Sequence, residues 1–318
     1  MSVLSAAYDA TDVYLVLGDS SDQTLVADMF NPIFAGSGVD ALLLPVPVPE
    51  EPASLGNFVR TAMLAKNIKG FWVSHARQSA ALHGLDHCSK LARMAGAVNA
   101  IRRNADGKLE GALFDGVGFI ASLIYFGISY ADKRVLILGG GGAAASIAAS
   151  LARPEDAVCA AEIAIYDDTS GPALAAAQRI ASATGTPVHV VGSNDPAGFD
   201  LVVNASSLGQ LPADPLPCDV SRMEAHACVL DTVMQNQPTA LLRASRARGL
   251  QAQPGFEMRV QQAHLYLDFF GFTNAAGMLR RDASALRQQI YPQALQHEIH
   301  PQLPSDSQFS PFTFSSLS

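Results

Sequence analysis

The segment Arg134-Val135-Leu136-Ile137-Leu138-Gly139-Gly140-Gly141-Gly142-Ala143-Ala144-Ala145-Ser146 constrains this chain more than any other. An apolar run of strand length leads into four glycines, and these lead into an alanine-rich stretch with high helix propensity. A buried strand, a tight glycine turn and a helix N-terminus, in that order, leave backbone N–H groups without intrahelical partners. The helix dipole adds partial positive charge behind them. Such a turn cradles a dinucleotide pyrophosphate, with Gly139, Gly141, Gly142 and Ala143 as candidate contacts.

Strand and helix patterns alternate on both sides of this turn. Val13–Gly18, Ala41–Val46 and Gly70–Ser74 read as strands, separated by helical spacing over Thr24–Phe34 and Leu55–Lys66. Pro32 is expected to bend the first helix or end it early. This β-α-β-α-β order implies parallel pairing with helical crossovers. After a helix over Val117–Phe126 and the glycine turn come strands at Ile163–Tyr166, Val188–Val191, Leu201–Ala205 and Val229–Val233. That succession describes a doubly wound, Rossmann-type nucleotide fold. The expected fold class is α/β, with one α/β domain over residues 1–116 and a Rossmann domain over residues 117–254. C-terminal helices over 255–296 are expected to complete the first domain. The helix from about Gly255 to Gly271 follows a finished sheet, so it is expected to pack back against that domain. Residues 297–318 read as a tail, rich in Ser, Pro and Gln from His300 onward.

Composition narrows the function classes. With 318 residues, 49% of them hydrophobic, the chain can build the cores of about two domains. A net charge of −8 with no basic run argues against nucleic-acid binding. Cys88, Cys159, Cys218 and Cys228 show no CxxC spacing and read as buried thiols in a reducing, cytoplasmic setting. No His, Cys or carboxylate cluster has metal-ligand spacing, so no metal is expected. No signal-peptide pattern and no apolar run of about 18 residues is seen, so no membrane partner is expected. The chain reads as a monomer or homodimer.

Asp167 and Asp168 close the strand after the glycine turn, where the adenosine ribose of a dinucleotide is read. A carboxylate there accepts from the ribose hydroxyls and repels a 2′-phosphate, and no Arg or Lys lies between Ile163 and Gln178. The pair favours NAD over NADP. It also suits a solvated cap before a helix at Thr169-Ser170.

Several further motifs resemble one family. Gly96-Ala97-Val98-Asn99-Ala100-Ile101 followed by Phe114-Asp115-Gly116-Val117-Gly118-Phe119 is similar to the GAVNT and NTDGxG motifs of the shikimate dehydrogenase family, which includes quinate dehydrogenases. Gly139–Ala143 matches its GAGGA signature, and Asn204-Ala205-Ser206-Ser207-Leu208-Gly209 its NATSLG. Gln262, four residues after Met258 in a segment opening at Gly255, looks like its late substrate-binding glutamine. The resemblance runs from about Val13 to about Tyr291. It implies an N-terminal substrate-binding domain, a Rossmann domain, and an active site in the cleft between them. It implies NAD or NADP as cofactor and a small carboxylated ring substrate, whose hydroxyl is interconverted with a 3-dehydro ketone. The resemblance also places Ser206 and Gly255 beside the cofactor.

Carried over by residue, Asp115 falls on the family's catalytic aspartate, which can orient the reacting hydroxyl and help relay its proton. Asn99 and Gln262 fall on substrate-binding amides, and Ser74 stands where Thr is usual. The family's NVTxPxK reads Trp72-Val73-Ser74-His75-Ala76-Arg77-Gln78, which puts Gln78 at the catalytic lysine position. Gln hydrogen-bonds a hydroxyl or ketone but transfers no proton near neutral pH. The Ser-x-Ser pair that holds the substrate carboxylate reads Thr24-Leu25-Val26, which keeps one hydroxyl of two. Trp72 and Phe114 replace polar residues and are expected to make one side of the cleft narrower and less polar. Met234 stands where a substrate-facing Tyr is common.

Two outcomes follow from Gln78. Another group supplies the proton, with His75 (near-neutral free pKa) or Arg77 nearest, or the chain acts on a different ring compound. His75 equally suits a loop histidine without a role, and Arg77 either a solvated charge or an anchor for the substrate carboxylate. A non-catalytic NAD-binding paralogue is the third reading.

Overall fold

The computed structural model describes residues 11–299, except 19, 49–51, 153–157 and 170. Contacts divide the described chain into two compact units. Unit 1 takes the residues up to Phe114 together with Ala263–Leu286, and unit 2 takes Asp115–Gln262 and the residues from Arg287.

Unit 1 contains β1 (Asp12–Gly18), α1 (Ser20–Gly36), β2 (Ala41–Pro47), α2 (Pro52–Ala62), β3 (Ile68–Val73), α3 (Gln78–Leu82), β4 (His87–Cys88), α4 (Lys90–Ala95), β5 (Ala100–Arg103) and β6 (Leu109–Ala112). Its sheet runs β2-β1-β3-β5-β6-β4. β1 lies parallel to both β2 and β3, as the alternating sequence order predicts. β5 then runs antiparallel to β3 and β6, so the sheet is mixed. Strands β4 to β6 are too short to show a periodicity, which is why the sequence reading misses them.

Pro32 does not stop α1: the helix continues to Gly36. A proline removes one backbone bond, whereas tertiary contacts hold the helix on both sides of it. Asn31 Nδ2 donates to Leu43 O at 3.0 Å and its Oδ1 accepts from Leu43 N at 2.8 Å, fastening α1 to β2.

Unit 2 opens with α5 (Asp115–Tyr125), then β7 (Arg134–Leu138), α6 (Gly142–Leu151), β8 (Glu162–Tyr166), α7 (Gly171–Thr184), β9 (Val188–Val190), β10 (Leu201–Asn204), β11 (Cys228–Asp231), α8 (Ala240–Ala247) and β12 (Gln251–Pro254). The sheet order is β12-β11-β10-β7-β8-β9, and every pairing is parallel. This is the doubly wound order of a Rossmann fold, with the topological switch point between β7 and β10. Val135 to Leu138 are buried on both faces, as central parallel strands require.

Three helices follow: α9 (Phe256–Phe269), α10 (Thr273–Arg281) and α11 (Ser284–Ile290). Only α9 from Ala263 on, α10 and the first residues of α11 cluster with unit 1; the rest belongs to unit 2. The second half of α9, with Phe270 just after it, brings Tyr266, Phe269 and Phe270 into an aromatic core with Tyr14, Phe30, Trp72 and Phe114. In unit 2, Glu257 and Arg287 form a buried ion pair at 2.7 Å, and Arg287 lies over the Tyr125 ring.

The sequence reading starts the tail at 297, but Gln293–Glu298 forms a 3-10 helix. Glu298 pairs with Arg246 at 2.8 Å, a bond that sequence periodicity cannot reveal. The tail from 300 lies outside the described residues. The cysteines are free, yet only Cys218 is buried; Cys88, Cys159 and Cys228 are half-buried. Burial pushes the Cys218 thiol up to about 12. No helix among the described residues is long and apolar enough to cross a membrane, and none of their His, Cys, Asp and Glu residues form a group that could hold a metal.

Candidate functional site

Unit 2 holds the glycine turn at the switch point. Gly139 takes φ +117°, and a Cβ there would lie 2.6 Å from Ala205 O and 2.8 Å from Ser206 N. Only glycine combines that backbone with so close an approach. Gly141 is the N-cap of α6, with no side-chain cap and nothing within 4 Å of where a Cβ would sit. The first N–H groups of α6, at Gly142 and Ala143, are therefore left to an external acceptor, with the dipole of a ten-residue helix behind them. An open, uncapped N-terminus after a tight turn fits a pyrophosphate.

Asp167 leans over this turn: a Cβ on Gly140 would lie 2.8 Å from Asp167 Cγ. Its Oδ1 accepts from Thr169 N at 2.8 Å and Thr169 Oγ1 at 2.5 Å. Asp168 Oδ1 accepts from Tyr166 Oη at 2.6 Å. These bonds within residues 166–169 are local ones. Asp167 organises the chain after β8 and sits beside the glycine turn.

A polar knot that the sequence reading passes over closes the other wall of the switch point. Asn204 ends β10 and Asp231 ends β11, as register partners. Asp231 Oδ1 accepts from Asn204 Nδ2 at 2.9 Å and from Val233 N at 3.2 Å, and Oδ2 accepts from Thr239 Oγ1 at 2.5 Å. Asn204 Oδ1 accepts from Ser206 Oγ at 2.7 Å, and Asn204 Nδ2 also donates to Leu208 O at 2.9 Å. Burial pushes the Asp231 carboxyl up to about 6, against the lowering pull of the bonds from Thr239, Val233 and Asn204. The signal in the sequence is a hydrogen-bonding residue at the end of each of two apolar strand runs. Gly255 belongs to the same rim, since a Cβ there would lie 2.7 Å from Thr232 Cα.

Asp115, also in unit 2, is buried in the first turn of α5. The next residue, Gly116, donates its N–H to Ser146 Oγ of α6 at 2.7 Å. One turn along, a Cβ on Gly118 would run into Gln262 Cγ and Met258 O, so Gln262 packs directly on α5. The structure thereby packs Gln262 against α5, the helix that Asp115 opens, although the two are 147 positions apart in sequence.

The remaining candidates lie in unit 1, around the C-terminal end of β3. Ser74 N donates to Leu17 O, and Val73 N to Asn99 O, each at 2.9 Å. Asn99 is fully buried, and its Oδ1 accepts from Phe114 N at 3.1 Å. Gln78 is 1% exposed, with its carbonyl accepting from Val98 N at 3.0 Å. Ser74, Gln78 and Asn99 therefore share one strand end. Thr24 is exposed on α1, as is His75 in the turn before Gln78. Arg77 is 5% exposed, which removes the solvated-charge reading of that residue.

Trp72 and Phe114 are spent within unit 1. The Trp72 ring stacks on Phe270 at 4.2 Å and on Tyr266 at 5.4 Å, and Phe114 meets Tyr266 and Phe269 edge-on. Both side chains are core packing, so the expectation that they narrow and dry a cleft is replaced by an aromatic cluster behind β3.

The chain is similar to shikimate dehydrogenase (NADP(+)) of Rubrobacter xylanophilus, with 33% identity over 257 residues, 79% of this chain and 88% of that protein. Among solved structures it is similar to the ligand-free 5-ketofructose reductase of Gluconobacter sp. strain CHM43, with 28% identity and TM-score 0.70, covering 85% of this chain and 98% of that one. It is also similar to the quinate dehydrogenase of Corynebacterium glutamicum in complex with NAD, with 25% identity and TM-score 0.72, covering 85% and 98%. No family model matches the chain.

Proposed function

The chain belongs to the shikimate dehydrogenase family of NAD(P)-linked oxidoreductases, and from that premise we propose a dehydrogenase for a carboxylated ring alcohol of the shikimate or quinate kind. The observation that carries this reading is the open, uncapped N-terminus of α6 behind the Gly139 turn. A bound nicotinamide would supply the hydride chemistry that interconverts the ring alcohol and its 3-dehydro ketone. Gly139, Gly141, Gly142 and Ala143 would hold the pyrophosphate, with Ser206 and Gly255 on the rim beside it. Asp167 Oδ2 would accept from the adenosine ribose hydroxyls, with Asp168 adding negative charge. This favours NAD, although the Rubrobacter relative is named for NADP(+).

The other residues act on the ring. The carboxylate of Asp115 orients the reacting hydroxyl and relays its proton. Asn99 and Gln262 present amides that both donate and accept, and Ser74 and Thr24 present hydroxyls. Gln78 stands in the lysine's place as a polar contact that moves no proton. Arg77, buried beside it, suits an anion better than a neutral group.

A second reading is a different ring substrate. Gln78 favours it, as does the similarity to an enzyme whose name specifies a keto sugar. The test is turnover of shikimate, quinate, their amino-substituted analogues and 5-ketofructose with both cofactors, on the native chain and on Gln78→Lys. Turnover of a ring acid, raised about 10²-fold or more by Gln78→Lys, supports the first reading. Turnover of the keto sugar alone selects the second. No turnover by either protein, with NADH still bound, identifies a non-catalytic paralogue and ends both.

A further inference from the structure

Unit 2 spends an unusual resource at the end of β11. Asp231 is fully buried, and a buried carboxylate is costly even when hydrogen-bonded. Replacing a whole buried polar cluster with apolar residues is often neutral or stabilising, so fold stability alone does not require one here. The bonds of Asp231 account for it better. Through Asn204, the Asp231 carboxylate reaches Ser206 and Leu208. Through Thr239, it reaches the N-cap of α8, where Thr239 Oγ1 accepts from Leu242 N at 3.2 Å. Ser206 Oγ in turn accepts from Leu208 N at 3.2 Å, which closes the segment on itself. The peptide held this way, Ala205–Ser206, is the one against which Gly139 is pressed. Elsewhere in this sheet β7 ends in Leu138, β8 in Tyr166, β9 in Val190 and β12 in Pro254. The buried polar pair is confined to the two strand ends that form this wall.

We propose that Asp231 is a positioning residue of the dinucleotide site, holding Ala205–Ser206 against Gly139 so that the phosphate turn is preformed. The inference rests on the dinucleotide reading of that turn. A preformed wall costs no ordering on binding, whereas a relaxed one must be rebuilt when the ligand arrives.

The experiment titrates the full chain with NADH, and in parallel NADPH, by nicotinamide fluorescence above neutral pH. The proteins are the native chain, Asp231→Leu, Asp231→Asn and Thr239→Val, with a thermal melt of each. Asp231→Leu strands three buried donors, which re-form bonds by distorting the segment; affinity falls at least about 10-fold. Asp231→Asn keeps the shape and two of the three bonds and restores affinity to within about 3-fold of native. A purely structural role would lower the melt of Asp231→Leu and leave the affinity of its folded fraction unchanged, and that result overturns the proposal. If Asp231→Leu does not fold, Thr239→Val decides: weaker binding with a native-like melt supports the proposal, and native affinity overturns it. A native chain that binds neither nucleotide defeats the dinucleotide reading itself, and the proposal with it.

Discussion

On the proposed reading, the two units would recognise their targets by opposite means. In unit 2 the glycine turn offers backbone N–H groups at the start of α6, so the side chains there need only be small. In unit 1 the end of β3 offers side chains, namely Ser74, Gln78 and Asn99. Backbone recognition tolerates changes of residue as long as the turn closes, which is why the GAGGA-like turn is easily read. Side-chain recognition changes its chemistry with each substitution, and on the proposed reading Gln78 in a lysine's place would alter what the chain can do with a proton.

The strongest test of this contrast is Asp115→Asn. It removes the one carboxylate proposed for proton relay, and turnover of the ring alcohol found in the substrate panel falls about 10²–10⁴-fold. NADH affinity in the same preparation stays native, since the turn recognises with backbone; a parallel loss of binding would erase the contrast.

Phe114→Ala probes the side-chain half next. As a core residue in contact with Tyr266 and Phe269, it costs about 3–5 kcal/mol of stability in denaturant unfolding. Emission from Trp72, the chain's one tryptophan, follows that unfolding within unit 1. Unchanged stability with an altered KM would return Phe114 to the substrate site.

The knot in unit 2 makes a pH prediction. The folded Asp231 carboxyl is raised from 3.8 to about 6, so the folded chain keeps a proton that the unfolded chain releases at lower pH. This contribution favours folding below the unfolded value and is lost as pH rises through about 6. It amounts to at most about 3 kcal/mol. Unfolding free energies of the native chain and Asp231→Asn, measured from about pH 4 to about pH 7, should show the native chain losing ground to the variant. Parallel curves would mean that the carboxyl is not raised.

Smaller effects follow at the turn. Gly139→Ala forces a Cβ against Ala205 O at positive φ and costs about 1–3 kcal/mol, with weaker NADH binding. Asp167→Asn removes a charge beside the turn and raises NADPH affinity relative to NADH by about 3- to 10-fold, read in the same titration. An unchanged ratio would leave Asp167 with only its local role at Thr169.

Patterns within short segments carried much of this. Apolar runs and glycine spacing reveal β1, β2, β3, β7, β8 and β10, and the doubly wound order follows from their alternation with helices. Motif spacing points to Asp115, Asn99 and Gln262 as candidates. The elements missed are those whose stability comes from elsewhere. β4, β5 and β6 are short and paired by neighbours, α1 crosses Pro32 because Asn31 holds it to β2, and the turn at 293–298 is tied down by Arg246.

The linear order of residues was enough to specify the glycine turn, because a strand, four glycines and a helix start interact over neighbouring positions. It was not enough to show that Trp72 and Phe114 turn into an aromatic core, that Arg77 is buried, or that Asp231 is wired to Asn204 and Thr239. Burial and hydrogen bonding depend on which distant side chains arrive at the same place, and only the packed sheets and helices bring them there.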